Sequence, residues 1–349
     1  MYAYQSNFPR IPVWVPAVAL CTLSLVLGWT VEPLALDVFF KQTWPPALET
    51  YIGTWGLPTD KIRILISSAC IGGSLLIFDQ CLKLLSPGAR LQSRILGQII
   101  PLGLSAFFLM AGAGGFPAAL GILCGALFVF AVLYLAQYPK VWYTALLFLP
   151  GFFAAILLPN LLWFFFPLVA GLLYILGKKK SGKSWLATLV VLAFSLWLHL
   201  DFYLLSLYSL DWSWAHYLNP TNWPGHPEWF KKMPQVLLIL SPILHPGFCL
   251  LLPVLFALSK KTDWVLSSKR LLIGSLVIYL LGISGLPEIG ADHLLPAYLL
   301  VLLLLFPAWD RFVSYGRFFF PRLALFLLSI LALCQVVFTV YFLFVLKGF

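Results

Sequence analysis

Charge is scarce in this chain, and acidic charge is scarcest. Twelve Asp and Glu residues are spread over 349 positions, and Asp, Glu, Lys and Arg together make up 10% of the sequence. Soluble domains carry roughly 25% charged residues, so a water-facing globular fold is excluded. No polar run is long enough to build a separate soluble domain, which leaves a single transmembrane domain over 1–349. The cysteines (Cys21, Cys70, Cys81, Cys124, Cys249 and Cys334) all fall within or at the ends of apolar runs and show no metal-ligand spacing. They read as small packing residues, and a disulfide framework is not expected. No cleavable signal peptide is evident, because residues 11–31 exceed a signal h-region and lack a small-residue cleavage site. The stretch Asn219-Pro220-Thr221 is spoiled as a glycosylation acceptor by its proline. That favours a bacterial inner (plasma) membrane over the secretory pathway.

Apolar length is what the chain has instead. Hydrophobic residues are 62% of the total. Cutting at the polar breaks gives spans at 11–31, 62–82, 95–111, 116–136, 141–159, 161–177, 185–209, 234–258, 270–286, 293–308 and 322–346. Each is about long enough to cross a bilayer. The expected fold is an all-α polytopic membrane protein with about eleven transmembrane helices. Its links alternate in charge. One set carries 16 of the 22 Lys and Arg residues, including Lys83, Arg90, Arg94, Lys140 and the run Lys178, Lys179, Lys180, Lys183. The other set holds Lys41, Lys61, Arg63, Lys231, Lys232 and Lys347 with most of the carboxylates. The positive-inside rule then puts the amino terminus in the cytoplasm and the carboxyl terminus outside. The link at 309–321 is aromatic and is expected to lie along the inner membrane surface. The +10 formal charge is a topology signal. Cations scattered over short loops do not form the patch that a nucleic-acid partner needs.

One motif match is rejected. Residues 177–184 spell G-K-K-K-S-G-K-S, which satisfies the phosphate-loop pattern letter for letter. That chemistry requires a strand before the loop and a soluble sheet to hold it, whereas an apolar span lies on each side here. The run reads as a cationic clamp on the inner face.

Ionisable residues near the bilayer are expensive to keep and suggest function. Asp79 sits at the inner end of the second span beside Lys83, where an interfacial carboxylate is expected. His199 and Asp201 are two positions apart and do not share a helix face. His245 lies in a span broken by Pro234, Pro242, Pro246 and Pro253.

Three outer loops, 32–61, 210–233 and 284–293, concentrate carboxylates, imidazoles and aromatic rings. Asp37, in L-A-L-D-V-F-F, and Glu32 follow the first span and are the candidate general bases, able to take a proton from an acceptor hydroxyl at the membrane surface. His216, His226, Lys231 and Lys232 share one loop, a set of donors suited to a phosphate or diphosphate headgroup. His293 in the third loop is a further candidate donor. Trp212 and Trp223, with Trp214 and Trp229, offer flat apolar faces to sugar rings and a prenyl chain. Ordinary interfacial side chains explain the same residues without any ligand. His216, His226 and Glu228 match no familiar zinc spacing. No cofactor is implied; a divalent metal is compatible with the chemistry, but no ligand set indicates one.

This layout resembles that of the C-type (GT-C) integral-membrane glycosyltransferases. L-A-L-D-V-F-F is similar to the short D-x-x-[YF] stretch beyond the first helix in some branches, including polyprenyl-phosphomannose-dependent mannosyltransferases. The segment A-D-H-L-L-P-A-Y-L-L from Ala291 is similar to the H-R-Y-L-L-P type of lead into a late helix, without the Arg beside the His. The run from Tyr138 to Asn160 resembles the family's mid-chain helix pair. The resemblance implies a transferase that moves sugar from a polyprenyl-phosphate donor to an acceptor on the extracytoplasmic side, with Asp37 as base. Its partners would be membrane lipids, the lipid-linked sugar and, in a complex, further membrane subunits. Two alternatives stay open. A non-catalytic scaffold or accessory subunit of a membrane complex fits the short first loop, and a lipid or solute transporter fits the topology but lacks deep charges and an inverted repeat.

The orientation is testable in a cysteine-free background. A cysteine introduced at Ser213 is expected to react with an impermeant thiol reagent added outside, and one at Ser181 only after permeabilisation. The reverse pattern overturns the orientation.

Overall fold

Helices arise wherever apolar runs are long, because a backbone removed from water must bond to itself. The computed structural model describes residues 12–30, 59–98, 106–157, 161–206, 226–232, 234, 266–284 and 289–319, with isolated positions between 326 and 341. Among these residues every regular element is helical. In chain order they are α1 (Trp14–Thr30), α2 (Thr59–Leu85), α3 (Leu91–Gln98), α4 (Ala106–Gly112) and α5 (Phe116–Gln137). A 3-10 turn (Val141–Thr144) then leads into α6 (Ala145–Leu157), followed by α7 (Leu162–Lys178) and α8 (Gly182–Ser206). The one-turn α9 (Pro227–Phe230), α10 (Leu266–Ser284) and α11 (Ala291–Phe319) complete the set.

Among the described residues, three helical stretches, Asp60–Leu85, Ala118–Gln137 and His293–Arg311, are long and apolar enough to cross a membrane. They match the spans expected at 62–82, 116–136 and 293–308. The span expected at 95–111 is described only at its ends, as α3 and α4, and those at 234–258 and 322–346 lie almost wholly outside the described residues.

Helix α5 is the axis of the bundle. Its sequence alternates Ala and Gly with Leu, Val and Phe and has no charge, so no face is reserved for water. Ala119, Ala126, Val129, Ala131 and Leu135 are completely enclosed. Helices α2, α6, α7 and α11 all pack on it. Aromatic rings tie the layers together. Phe128 of α5 stacks on Phe165 of α7 with centroids 3.7 Å apart, and Phe164 meets Tyr279 of α10 edge-on at 5.5 Å.

Where helices approach most closely, the contact residue is glycine, as expected when lipid gives no hydrophobic drive between helices and close packing must supply the attraction. A β-carbon on Gly28 of α1 would stand 2.6 Å from the Ala113 carbonyl oxygen and 2.6 Å from Ile64. One on Gly282 of α10 would stand 2.5 Å from the Trp163 ring.

Helix α8 is built inside out. Its buried positions include Ser184, Thr188 and Ser195, a stripe of small hydroxyl residues, while Leu186, Val190 and Trp197 are 57–60% exposed. Two of these hydroxyls are spent within the helix: Thr188 donates to the Ser184 carbonyl at 2.8 Å and Ser195 to that of Val191 at 2.9 Å. Apolar outside and small inside is the pattern of a helix solvated by hydrocarbon.

The link expected after residue 308 is helical: residues 309–319 continue α11. Ala308 and Trp309 are buried, and the Trp309 indole N–H donates to the Ser93 carbonyl at 3.1 Å. Packing against α3 therefore carries the helix beyond the point where the sequence turns aromatic and basic.

Replacing Gly28 by Leu is expected to destabilise the purified protein by about 2–4 kcal/mol, at or above the usual range for overpacking because the blocking atom is backbone. Gly274→Leu, where nothing lies within 4 Å of the added carbon, serves as control. Thermal unfolding in detergent checks the pair; equal melting temperatures would refute close α1–α4 packing.

Candidate functional site

The two ends of the bundle differ in chemistry. At one end, helix termini are lashed to each other by side chains. Gln137 at the end of α5 donates to the Leu84 carbonyl at the end of α2 at 2.9 Å. Lys179, just past α7, donates to the Ala136 and Gln137 carbonyls. Ser184, in the first turn of α8, donates to the Pro139 carbonyl at 2.7 Å. This end gathers Lys83, Arg90, Arg94, Lys140 and the Lys178–Lys183 run, which belong to separate links in the sequence.

The opposite end is reached by following the helices. Gly28 of α1 lies against Ile64 and Ala113, and Gly282 of α10 against Trp163. Tyr279 of α10 donates to the His293 carbonyl at 2.7 Å. Arg63 donates through Nε to the Gly114 carbonyl at 2.8 Å, across a turn whose φ of 141° only glycine adopts comfortably. Thr30, Ser284 and Ala291 thus share this end, and α8 runs towards it from the lashed end. The helix ends that lead into loops 32–61, 210–233 and 284–293 thus fall at the end of the bundle opposite the Lys178–Lys183 run, where Lys61 and Arg63 also lie.

The candidate residues divide accordingly. Asp37, Glu32, His216, Trp212 and Trp223 lie outside the described residues, as does His245. His199 and Asp201 fall on α8, two positions apart, and only their backbone is described. His226 precedes α9 and is half-buried; Lys231 and Lys232 follow it, Lys231 exposed and Lys232 partly covered. Burial lowers the Lys232 ammonium below its usual pKa. His293 is 4% exposed in the first turn of α11. Its Nδ1 accepts a hydrogen bond from the Gly290 N–H at 3.0 Å, which fixes Nε2 as the donor nitrogen of the neutral ring.

The most developed polar constellation was only partly expected. Asp79 on α2 is fully buried. Its Oδ2 lies 3.0 Å from Lys83 Nζ and 3.2 Å from Arg94 Nη1, and its Oδ1 accepts from Gln98 Nε2 at 3.1 Å. The Lys83 pairing follows from i,i+4 spacing, as the sequence suggested. Arg94 and Gln98 were missed; they are themselves i,i+4 on α3, which was the available signal. This network faces the lashed end, so it braces α2 against α3 and does not adjoin the helix ends of the candidate outer loops. The G-K-K-K-S-G-K-S run spans the end of α7, a turn and the start of α8, with no strand before it. Among the described residues, no three His, Cys, Asp or Glu side chains converge as a metal site.

No family model, no curated protein and no solved structure matches this chain.

Asp79→Ala is expected to cost about 3–5 kcal/mol, since it strands the mostly buried Arg94 charge. Lys83→Gln, at a side chain 45% exposed, is expected to cost no more than about 1 kcal/mol. Thermal unfolding of both variants in one detergent checks this; equal losses would show that the network is not a buried brace.

Proposed function

We propose that this chain is a polytopic inner-membrane glycosyltransferase of the GT-C type, with about eleven spans, the amino terminus inside and the carboxyl terminus outside. The observation that carries the reading is the shared end of the bundle: Thr30, Ser284 and Ala291 lie there, and α8 runs to it, opposite the lysine-rich lashed end. A site assembled from loops 32–61, 210–233 and 284–293 needs that arrangement. The lysine-rich end fits the cytoplasmic side by the positive-inside rule, so the three loops face out.

In this reading Asp37 takes the proton from an acceptor hydroxyl. The hydroxyl oxygen attacks the anomeric carbon of a sugar carried on polyprenyl phosphate, and the bond from that carbon to the phosphate oxygen breaks. The departing phosphate is held by Lys231, Lys232 and either His226 or His293, with charge-assisted hydrogen bonds. Trp212, Trp214, Trp223 and Trp229 offer stacking faces to the sugar and prenyl chain. Glu32, nearer the helix exit, has the lesser role.

A general base contributes roughly 10²–10⁴-fold to rate, so Asp37→Asn is expected to reduce sugar transfer by about that factor while leaving the protein folded. Glu32→Gln is expected to cost much less. Transfer of labelled sugar from membrane lipids to endogenous acceptors, compared among wild type, deletion and both variants, measures this. A deletion that costs no glycan, or full activity in Asp37→Asn, removes the catalytic assignment. A membrane complex that falls apart without the chain would then establish the accessory-subunit alternative.

A further inference from the structure

The α7–α8 turn is a rigid cationic platform. Ser181 N–H bonds to the Leu176 carbonyl at 3.1 Å and Lys180 N–H to that of Gly177 at 3.0 Å. These are the paired bonds of a Schellman turn, and Lys180 takes the left-handed position with φ 55°. A non-glycine residue there costs conformational energy, yet the turn keeps a lysine. Lys179 is spent on the α5 carbonyls. Lys178, Lys180, Lys183 and nearby Lys140 are all exposed, and among the described residues no carboxylate pairs with them.

The surroundings are equally specific. Tyr174 lies under Lys178, its ring centroid 5.4 Å from Nζ. Trp142, at the turn beside Lys140, is 88% exposed. Ring systems at the level of the cations mark the membrane–water interface. Beyond them the exposed surfaces of α6 and α8 form a continuous apolar wall that includes Leu149, Leu186 and Val190, joined by stacking of Phe148 on Phe194 at 5.5 Å.

We propose that this turn docks the phosphate headgroup of an anionic phospholipid whose acyl chains lie along the α6–α8 wall. Uncompensated ammonium groups above an apolar wall match the two halves of such a lipid. A soluble phosphate or nucleotide uses only the first half, and a zwitterionic lipid offers no net charge to the lysines. The proposal is independent of the sugar-transfer reading, whose residues belong to the other end.

The test uses the purified full chain with lipids of known headgroup. The protein is washed in detergent with phosphatidylglycerol or phosphatidylcholine, and retained lipid is counted by mass spectrometry of the intact protein. Each basic residue near an anionic surface is worth roughly fivefold, so wild type is expected to retain phosphatidylglycerol at least about tenfold better than phosphatidylcholine. The combined variant Lys178→Gln, Lys180→Asn, Lys183→Gln is expected to lose that preference; Asn is chosen at 180 because it tolerates a left-handed backbone. Equal retention of the two lipids by wild type, or an unchanged preference in the variant, overturns the proposal. Displacement of phosphatidylglycerol by millimolar inorganic phosphate at constant ionic strength also overturns it, in favour of a soluble-anion site. Should the variant fail to insert, wild type alone decides: a preference that weakens with added salt supports the site, and one indifferent to salt refutes it.

Discussion

Enclosure of α5 on every side is the constraint that the other helices answer to. A chargeless helix rich in Ala and Gly has no face to give to water and little bulk to hold neighbours apart. Helices α2, α6, α7 and α11 can therefore approach it closely. Hydrocarbon offers no hydrophobic reward for helix association, so the gain comes from dispersion contacts, which fall away steeply over an extra ångström. The glycines at 28 and 282 and the hydroxyl stripe of α8 are different solutions to that one demand. Each leaves room for a close neighbour: backbone at Gly28 and the Trp163 ring at Gly282.

Polar groups are handled by position. Asp79 is buried but satisfied by three donors, two of them cationic, so the carboxylate stays within a network and not alone in a low-dielectric interior. On α8, Thr188 and Ser195 return their hydroxyls to their own backbone. At the lashed end, Gln137, Lys179 and Ser184 cover carbonyls that helix termini leave without partners. Among the described residues, Lys140, Lys178, Lys180 and Lys183 stay exposed at the lashed end. The contrast between this end and the His293 end gives the bundle a direction, and the functional proposal relies on that direction.

Much of this was legible in the sequence, but unevenly. Length and hydropathy located α2, α5 and most of α11, because an uninterrupted apolar run admits no other structure in lipid. The pairing of Asp79 with Lys83 followed from one helical turn. Its bonds to Arg94 and Gln98 did not, since they depend on α3 folding back across the end of α2. The extension of α11 to Phe319 was hidden for a similar reason: the aromatic run at 309–321 read as a link, and the docking of Trp309 on Ser93 is a contact that only the fold brings about. On α8 the apolar pattern runs nearly all round, and which stripe is buried is decided by the neighbours. For the outer loops, alternation of charge indicated a common side; Asp37, Glu32, His216, Trp212 and Trp223 themselves lie outside the described residues.

The lashed end has a mechanical consequence. Cross-bonds from α5 to the ends of α2 and α7, and from α8 to the turn after α5, leave those termini little room to slide. Any rigid-body tilt of α8 must then pivot near Ser184. Displacement grows along a lever, and a 25-residue helix is roughly 37 Å long, so a tilt of about 5° moves its far end by about 3 Å. A bundle hinged in this way can shift the far end of α8 while its cationic base stays still.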